Sequence, residues 1–379
     1  MKIGIITIHN SPNYGASLQS FALWKYIVDC GYDCELIDLC RPCHNDYIAS
    51  KKYVPCRPQG KPGVIGAMKE RIKGWMRSNT GFVYLRDEAL QKFNDFNSQV
   101  RLGRIYRGID ELYADPPLYD VYITGSDQLW NPTQPFCISP YLLTFVPAGK
   151  KRISYASSIG ITELTREEIN LFKSALGQYD AISVRELQAK NLLEKIIDKE
   201  IHQVADPTFL ISTDYWKSIA VYPEEKGKYI LLFTLEYDAK MLDYTLGLGR
   251  QSGLKVVYLT AIQPKATGGY VAVETAGPCE WIGYIANAEM VITDSFHGTV
   301  FSIITGCNNF FIRIADDNGR GSRIMDLLDV FGLSSHLMDS GLSQTYNELA
   351  SMVVDHEHVS AIVESERERS RQFLTQHIR

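Results

Sequence analysis

The chain opens on Lys2-Ile3-Gly4-Ile5-Ile6-Thr7-Ile8, a nearly unbroken apolar run that predicts a parallel strand buried on both faces. Leu18 to Val28 then spaces its apolar residues as a helix does, and Cys34 to Leu39 supplies a second strand, completing a βαβ unit. Further strands are predicted at Val121–Thr124, Arg152–Ala156 and Ala181–Val184, with helical patterns between them, and this half closes near Ala205-Asp206-Pro207. A second series of strands is predicted at Tyr229–Phe233, Lys255–Leu259, Met290–Thr293 and Asn309–Ile312. Alternation of this kind implies doubly wound parallel sheets. The expected fold class is therefore α/β, with two Rossmann-like domains facing across a cleft.

The predicted boundaries follow the pattern: an N-terminal domain over 1–211, a C-terminal domain over 212–334, and a terminal loop and helix over 335–379 placed to pack back on the first domain. An insertion over 41–117 breaks the alternation. At 379 residues, with 45% apolar and 22% charged residues, the chain suits two ordinary domains folded almost throughout. The net charge of −5 argues against a general nucleic-acid binder, and no run is long and apolar enough to span a bilayer. With no secretory signal read at its start, a cytoplasmic protein is expected.

Charge changes the picture in one place. Residues 51–77 carry about +7, leaving about −12 for the rest of a chain whose total is −5. There Ile65, Met68, Ile72, Trp75 and Met76 fall at helical spacing among Lys69, Arg71, Lys73 and Arg77. That pattern suits a solvated lid helix docked by its apolar stripe, a helix over an anionic substrate, or peripheral contact at the inner face of a membrane. Cys40-Arg-Pro-Cys43 has a metal-like spacing but no second pair, so structural thiols are expected and no metal site.

In open α/β sheets ligands bind beyond the carboxyl ends of the strands. Four groups there carry candidate chemistry. In His9-Asn10-Ser11-Pro12-Asn13-Tyr14-Gly15-Ala16, Gly15 opens a helix whose N–H groups can hold an anion, unless Ser11 or Asn13 simply caps it. In Gly125-Ser126-Asp127-Gln128-Leu129-Trp130-Asn131, Asp127 can accept protons from hydroxyls and Trp130 can stack on a sugar ring; the plain alternative is an Asx turn and a buried indole. In Thr293-Asp294-Ser295-Phe296-His297-Gly298-Thr299, Gly298 lets a ligand approach the backbone and His297 can exchange protons with it. Arg185, Arg313, Arg320 and Arg323 offer guanidinium forks for a small polyanion, with Arg185 and Arg323 the favoured pair. There is no P-loop, no GxGxxG and no GxSxG elbow, so neither a nucleoside triphosphate nor a dinucleotide is expected.

Asn13-Tyr14-Gly15-Ala16, Thr124 to Asn131 and Thr293 to Gly298, with Ser154-Tyr155-Ala156-Ser157-Ser158, Ser183-Val184-Arg185-Glu186, Ala205-Asp206-Pro207-Thr208 and Ser322-Arg323-Ile324 in the same order, resemble the polysaccharide pyruvyl transferase family over roughly residues 1 to 334. The resemblance implies a GT-B-like fold and transfer of a pyruvyl ketal from phosphoenolpyruvate to two hydroxyls of a surface-polysaccharide sugar, or of its nucleotide- or lipid-linked precursor, with no cofactor. It assigns catalysis to His297 and Asp127, the donor anion to Arg185, Arg323, Ser295, Gly298, Asn13 and Gly15, and the acceptor to Ser126, Gln128, Trp130 and His9. The insertion matches no motif; its charge suits a diphosphate-bearing acceptor. The rival readings are a GT-B glycosyltransferase using a nucleotide sugar, and a non-catalytic sugar-binding or scaffold protein.

Overall fold

The structure, a computed structural model, describes residues 1–9, 11–42, 44–53, 82–134, 136, 138–224, 227–259, 262–264, 268–314 and 321–379. The basic stripe predicted over 65–77, Asn10, Cys43 and Arg320 lie outside the described residues. The chain divides into two compact units, the first made of 1–60, 97–211 and 364–379 and the second of 61–96 and 212–363.

The first unit is built on a parallel sheet of β1 (Lys2–Ile6), β2 (Asp33–Leu39), β3 (Leu102–Tyr106), β4 (Val121–Thr124), β5 (Lys151–Ser157), β6 (Ala181–Val184) and β7 (Ile201–Gln203). Its spatial order is β3-β2-β1-β4-β5-β6-β7, so the winding reverses between β1 and β4. Helix α1 (Tyr14–Asp29) follows β1. β4 and β6 are buried at every position, as strands covered on both faces must be. The terminal helix His356–Ile378 joins this unit from Glu364 onward. There Arg367, itself buried, donates to the carbonyls of Phe209 (2.8 Å) and Ile211 (3.3 Å), and Arg371 donates to that of Leu210. These arginines satisfy the open end of the 3₁₀ turn Pro207–Leu210, whose carbonyls would otherwise lack partners.

The second unit repeats the winding. Helix α2 (Asp87–Asn97) precedes a sheet of β8 (Tyr229–Phe233), β9 (Lys255–Leu259), β10 (Val271–Val273), β11 (Met290–Thr293) and β12 (Phe310–Ile312), ordered β10-β9-β8-β11-β12. The helices used below are α3 (Ala239–Ser252), α4 (Pro278–Asn287), α5 (Phe296–Thr305) and α6 (Gly321–Val330).

Two boundaries differ from the sequence-based expectation. Within the insertion, residues 82–96 belong to the second unit, whereas 44–53 and 97–117 stay with the first. Strand Phe82–Tyr84 pairs antiparallel with Ile262–Pro264, Arg86 N–H donates to the Glu274 carbonyl at 3.1 Å, and Lys92 reaches Glu280 at 2.9 Å and the Thr275 carbonyl at 3.0 Å. The expected third segment, 335–379, is split between the units at Val363/Glu364.

Gly283 of α4 is set by packing. A Cβ there would lie 2.0 Å from the Val221 carbonyl oxygen, and Val221 N–H also donates to the Cys279 carbonyl at 3.0 Å, so the helix is held against that backbone. Propensity alone would make Gly283→Ala stabilising by up to about 1 kcal/mol. The clash reverses the sign: the substitution is expected to destabilise by about 1–3 kcal/mol, read as a lower urea midpoint.

Candidate functional site

Each sheet reverses its winding beside its first strand, and the connections leaving the two strands there diverge and open a crevice. In the first unit the crevice lies between the ends of β1 and β4, and its floor is hydrogen-bonded. Gln19 Nε2 donates to Thr7 Oγ1 (3.0 Å) and to the Ile8 carbonyl (3.1 Å), while Thr7 Oγ1 donates to the Ser126 carbonyl (3.1 Å). Gly125 fits because a Cβ there would come within 2.9 Å of Thr7 Cβ. These contacts end β1 at Ile6, two residues earlier than the apolar run suggests.

The predicted residues of this unit separate into two groups. At the crevice stand Asp127, Gln128, His9, Asn13 and Gly15. Asp127 holds a left-handed backbone (φ 79°), a conformation Asp tolerates better than most residues, and its Oδ1 accepts from Gln128 N–H at 2.8 Å. His9 is held from both sides, Nε2 2.9 Å from Asp38 and Nδ1 3.1 Å from the Thr7 carbonyl. Asn13 is the N-cap of α1, accepting from Ala16 N–H at 3.0 Å, and Gly15 is buried in the first turn.

Interior to them lie Ser126, Arg185 and Trp130, and here the structure corrects the expected ligand roles. Arg185 is buried and pairs with Asp206 at 2.8 Å; Ser126 Oγ lies 3.4 Å from the same guanidinium and 3.3 Å from Asp206. Glu186 sits 3.9 Å from Arg185 and accepts from Ser158 Oγ (2.8 Å) and Ile159 N–H (3.0 Å). The guanidinium is thus paired with buried carboxylates at the ends of β6 and β7. Trp130 is 0% exposed, donates its indole N–H to the Tyr141 carbonyl at 2.9 Å and packs edge-on against Phe172 and Tyr179. Its faces are covered by the core, which leaves no face for a sugar.

In the second unit the crevice lies between the ends of β8 and β11. Ser295 caps α5, accepting from Gly298 N–H at 3.2 Å. Packing alone requires glycine at 298: a Cβ would lie 2.6 Å from Thr293 Oγ1 and 3.2 Å from Phe233. His297 is half-buried one residue into the helix, its ring perpendicular to Phe296 at 5.2 Å, and the Arg323 guanidinium lies 5.8 Å from the same Phe296 ring. His297 and Arg323 thus both border the Phe296 ring, next to the cap Ser295. Arg313, at the end of β12, pairs instead with Asp238, which also caps α3 through Lys240 N–H (2.9 Å) and Met241 N–H (3.1 Å).

Sequence reasoning gave no role to Asp294. It reaches across the crevice, where Oδ1 accepts from Leu235 N–H at 2.9 Å, and burial pushes its carboxyl up from 3.8 to about 6 against that hydrogen bond, with Asp238 and Glu236 adding in the same direction. Its position directly after a fully buried strand, before the cap Ser295, was the available signal. Elsewhere, a shallow groove of about 570 Å³ runs between Tyr26 and residues 368–379, at the far end of α1 from the crevice. Among the described residues no cluster of three or more His, Cys, Asp or Glu is placed to hold a metal, and none of the helices is long and apolar enough to cross a membrane.

Two measurements check these assignments. Arg185→Ala leaves Asp206 buried without its cation and is expected to cost about 3–5 kcal/mol in equilibrium unfolding, if the pair is structural. For Asp294 the folded state holds its proton more tightly than the unfolded chain, so stability falls as pH rises from 3.8 to about 6 and stays reduced above it. Asp294→Asn is therefore expected to be more stable than wild type at pH 8, by on the order of 2–3 kcal/mol, and to lose that advantage near pH 4. Thermal melts at the two pH values read the difference.

No curated protein matches the chain. Among solved structures it is similar to Arabidopsis thaliana UGT89C1 complexed with UDP-L-rhamnose (TM-score 0.54, 13% identity, 99% of this chain and 97% of that one). It is also similar to UDP-N-acetylglucosamine 2-epimerase from Rickettsia bellii (TM-score 0.53, 9% identity, 100% and 98%) and to the Methanocaldococcus jannaschii UDP-GlcNAc 2-epimerase in complex with UDP-GlcNAc and UDP (TM-score 0.50, 13% identity, 99% and 100%). At these identities the likeness shows the fold, which is GT-B-like with a Rossmann-like sheet in each unit. The family model for polysaccharide pyruvyl transferase matches residues 13–316, and the chain belongs to that family of transferases.

Proposed function

We propose that the chain transfers a pyruvyl group from phosphoenolpyruvate onto two hydroxyls of a hexose in a surface polysaccharide or its nucleotide- or lipid-linked precursor. The observation that carries this reading is the second unit's crevice, where His297 at a helix start and Arg323 both border the Phe296 ring and burial raises the Asp294 carboxyl to about 6. Ketal transfer needs an anion held beside a proton donor. A sugar hydroxyl adds to C2 of the donor as C3 takes a proton and the hydroxyl loses one. Phosphate then leaves with the C2–O electron pair, and the second hydroxyl adds at C2 and loses its proton. The balance is one ketal and one phosphate from one donor and one diol.

In this scheme His297 delivers the proton to C3, Arg323 and the first-turn N–H groups of α5 hold the donor anion, and Ser295 orders that turn. Acceptor recognition is assigned to the first unit, where Asp127 accepts from a sugar hydroxyl and Gln128 and His9 border the same crevice. The acceptor is proposed to carry a diphosphate, matched in charge by residues 51–77, and the chain to work at the inner face of the membrane.

Calorimetric titration tests the donor. Wild type is expected to bind phosphoenolpyruvate saturably, whether or not UDP also binds on the acceptor side, and Arg323→Ala to weaken phosphoenolpyruvate binding by about tenfold or more. With a competent acceptor, His297→Ala is expected to lower kcat by about 10²–10⁴ with KM little changed. Saturable UDP binding with no response to phosphoenolpyruvate would move the assignment to nucleotide-sugar transfer.

A further inference from the structure

Asp294 stands where the reading above places an anion. Its Oδ1 accepts from Leu235 N–H at 2.9 Å across the crevice, so the carboxyl lies at the carboxyl ends of β8 and β11. Among the described residues, Glu236 and Asp238 of the loop after β8 and Tyr258 of β9 act on it electrostatically, His297 follows it by three positions at the start of α5, and the same end of the sheet carries Arg313 after β12 and Arg323 on α6. Arg313 is paired with Asp238. An ionised Asp294 would meet an incoming phosphate or carboxylate as a like charge, whereas the neutral acid keeps Oδ1 as acceptor for Leu235 and offers the ligand an O–H donor.

We propose that Asp294 takes up a proton as the anionic donor binds, and that its neutral carboxyl then donates a hydrogen bond to the ligand. This rests on the donor site proposed above. Burial already holds the free carboxyl at about 6, so the added negative charge has only a short distance to raise it past neutrality. Donor affinity is then tied to pH: binding weakens as pH rises above about 6, by at most about tenfold per unit for the one proton.

The experiment is calorimetry of phosphoenolpyruvate binding at pH 7 in buffers of different ionisation enthalpy, which counts protons taken up. Asp294→Asn keeps the acceptor for Leu235 N–H and mimics the neutral acid. Subtracting the variant's count from the wild type's removes the ligand's own titration, and the difference is expected to approach one proton. The variant's affinity is expected to fall less between pH 6 and pH 8 than the wild type's. Equal counts in the two proteins would overturn the proposal. Infrared spectra of the wild type need no variant: a protonated-carboxyl C=O band must appear when phosphoenolpyruvate is added at pH 7, and its absence counts against Asp294. If only UDP binds, the pyruvyl-donor reading falls, and the proton count made with UDP still decides for or against Asp294. Binding of neither ligand overturns both.

Discussion

Both units depend on the reversal of strand order beside their first strand. Two neighbouring parallel strands whose connections depart to opposite sides leave backbone groups at their ends that no connection covers, and something must bridge them. Unit one bridges with neutral groups, Gln19 and Thr7 closing onto the Ser126 carbonyl. Unit two bridges with a carboxyl, Asp294 to Leu235 N–H. The same stitch is thus inert in one half and titratable in the other, which is why proton chemistry is assigned to the second.

The interior strands were legible because a strand covered on both faces is continuously apolar. Val121–Thr124, Ala181–Val184, Tyr229–Phe233 and Met290–Thr293 are found at the predicted residues. In the two parallel sheets the strands missed were Leu102–Tyr106, Ile201–Gln203 and Val271–Val273, each a sheet edge, and the separate pair Phe82–Tyr84 and Ile262–Pro264 was missed as well. An edge is partly solvated and so carries Gly103, Arg104 and His202, which dilute the apolar signal. The second-unit position of residues 82–96 was illegible for another reason: it depends on one hairpin-like pairing and on Lys92 meeting Glu280, neither of which leaves a periodicity.

The same limit explains the site residues. Position after a strand correctly located the loops, but residue type could not say which side chains face outward. Arg185 reads in sequence as an anion ligand and is answered in the fold by Asp206, which lies on a different strand's exit. Trp130 and Asp127 stand three positions apart in one loop, yet one is core and the other borders the crevice. The left-handed turn at Asp127 divides them, and Asp's tolerance of that conformation did not say which side chain would face the crevice.

The passage of the chain between units also orders events in time. Carbonyls of Phe209, Leu210 and Ile211 are sealed by Arg367 and Arg371, which a ribosome adds more than 150 residues later. Until then the first half carries an unfinished polar seam, and the second half is synthesised in full before that seam closes. A nascent chain of this topology therefore completes its first unit last, with its terminal helix as the closing step.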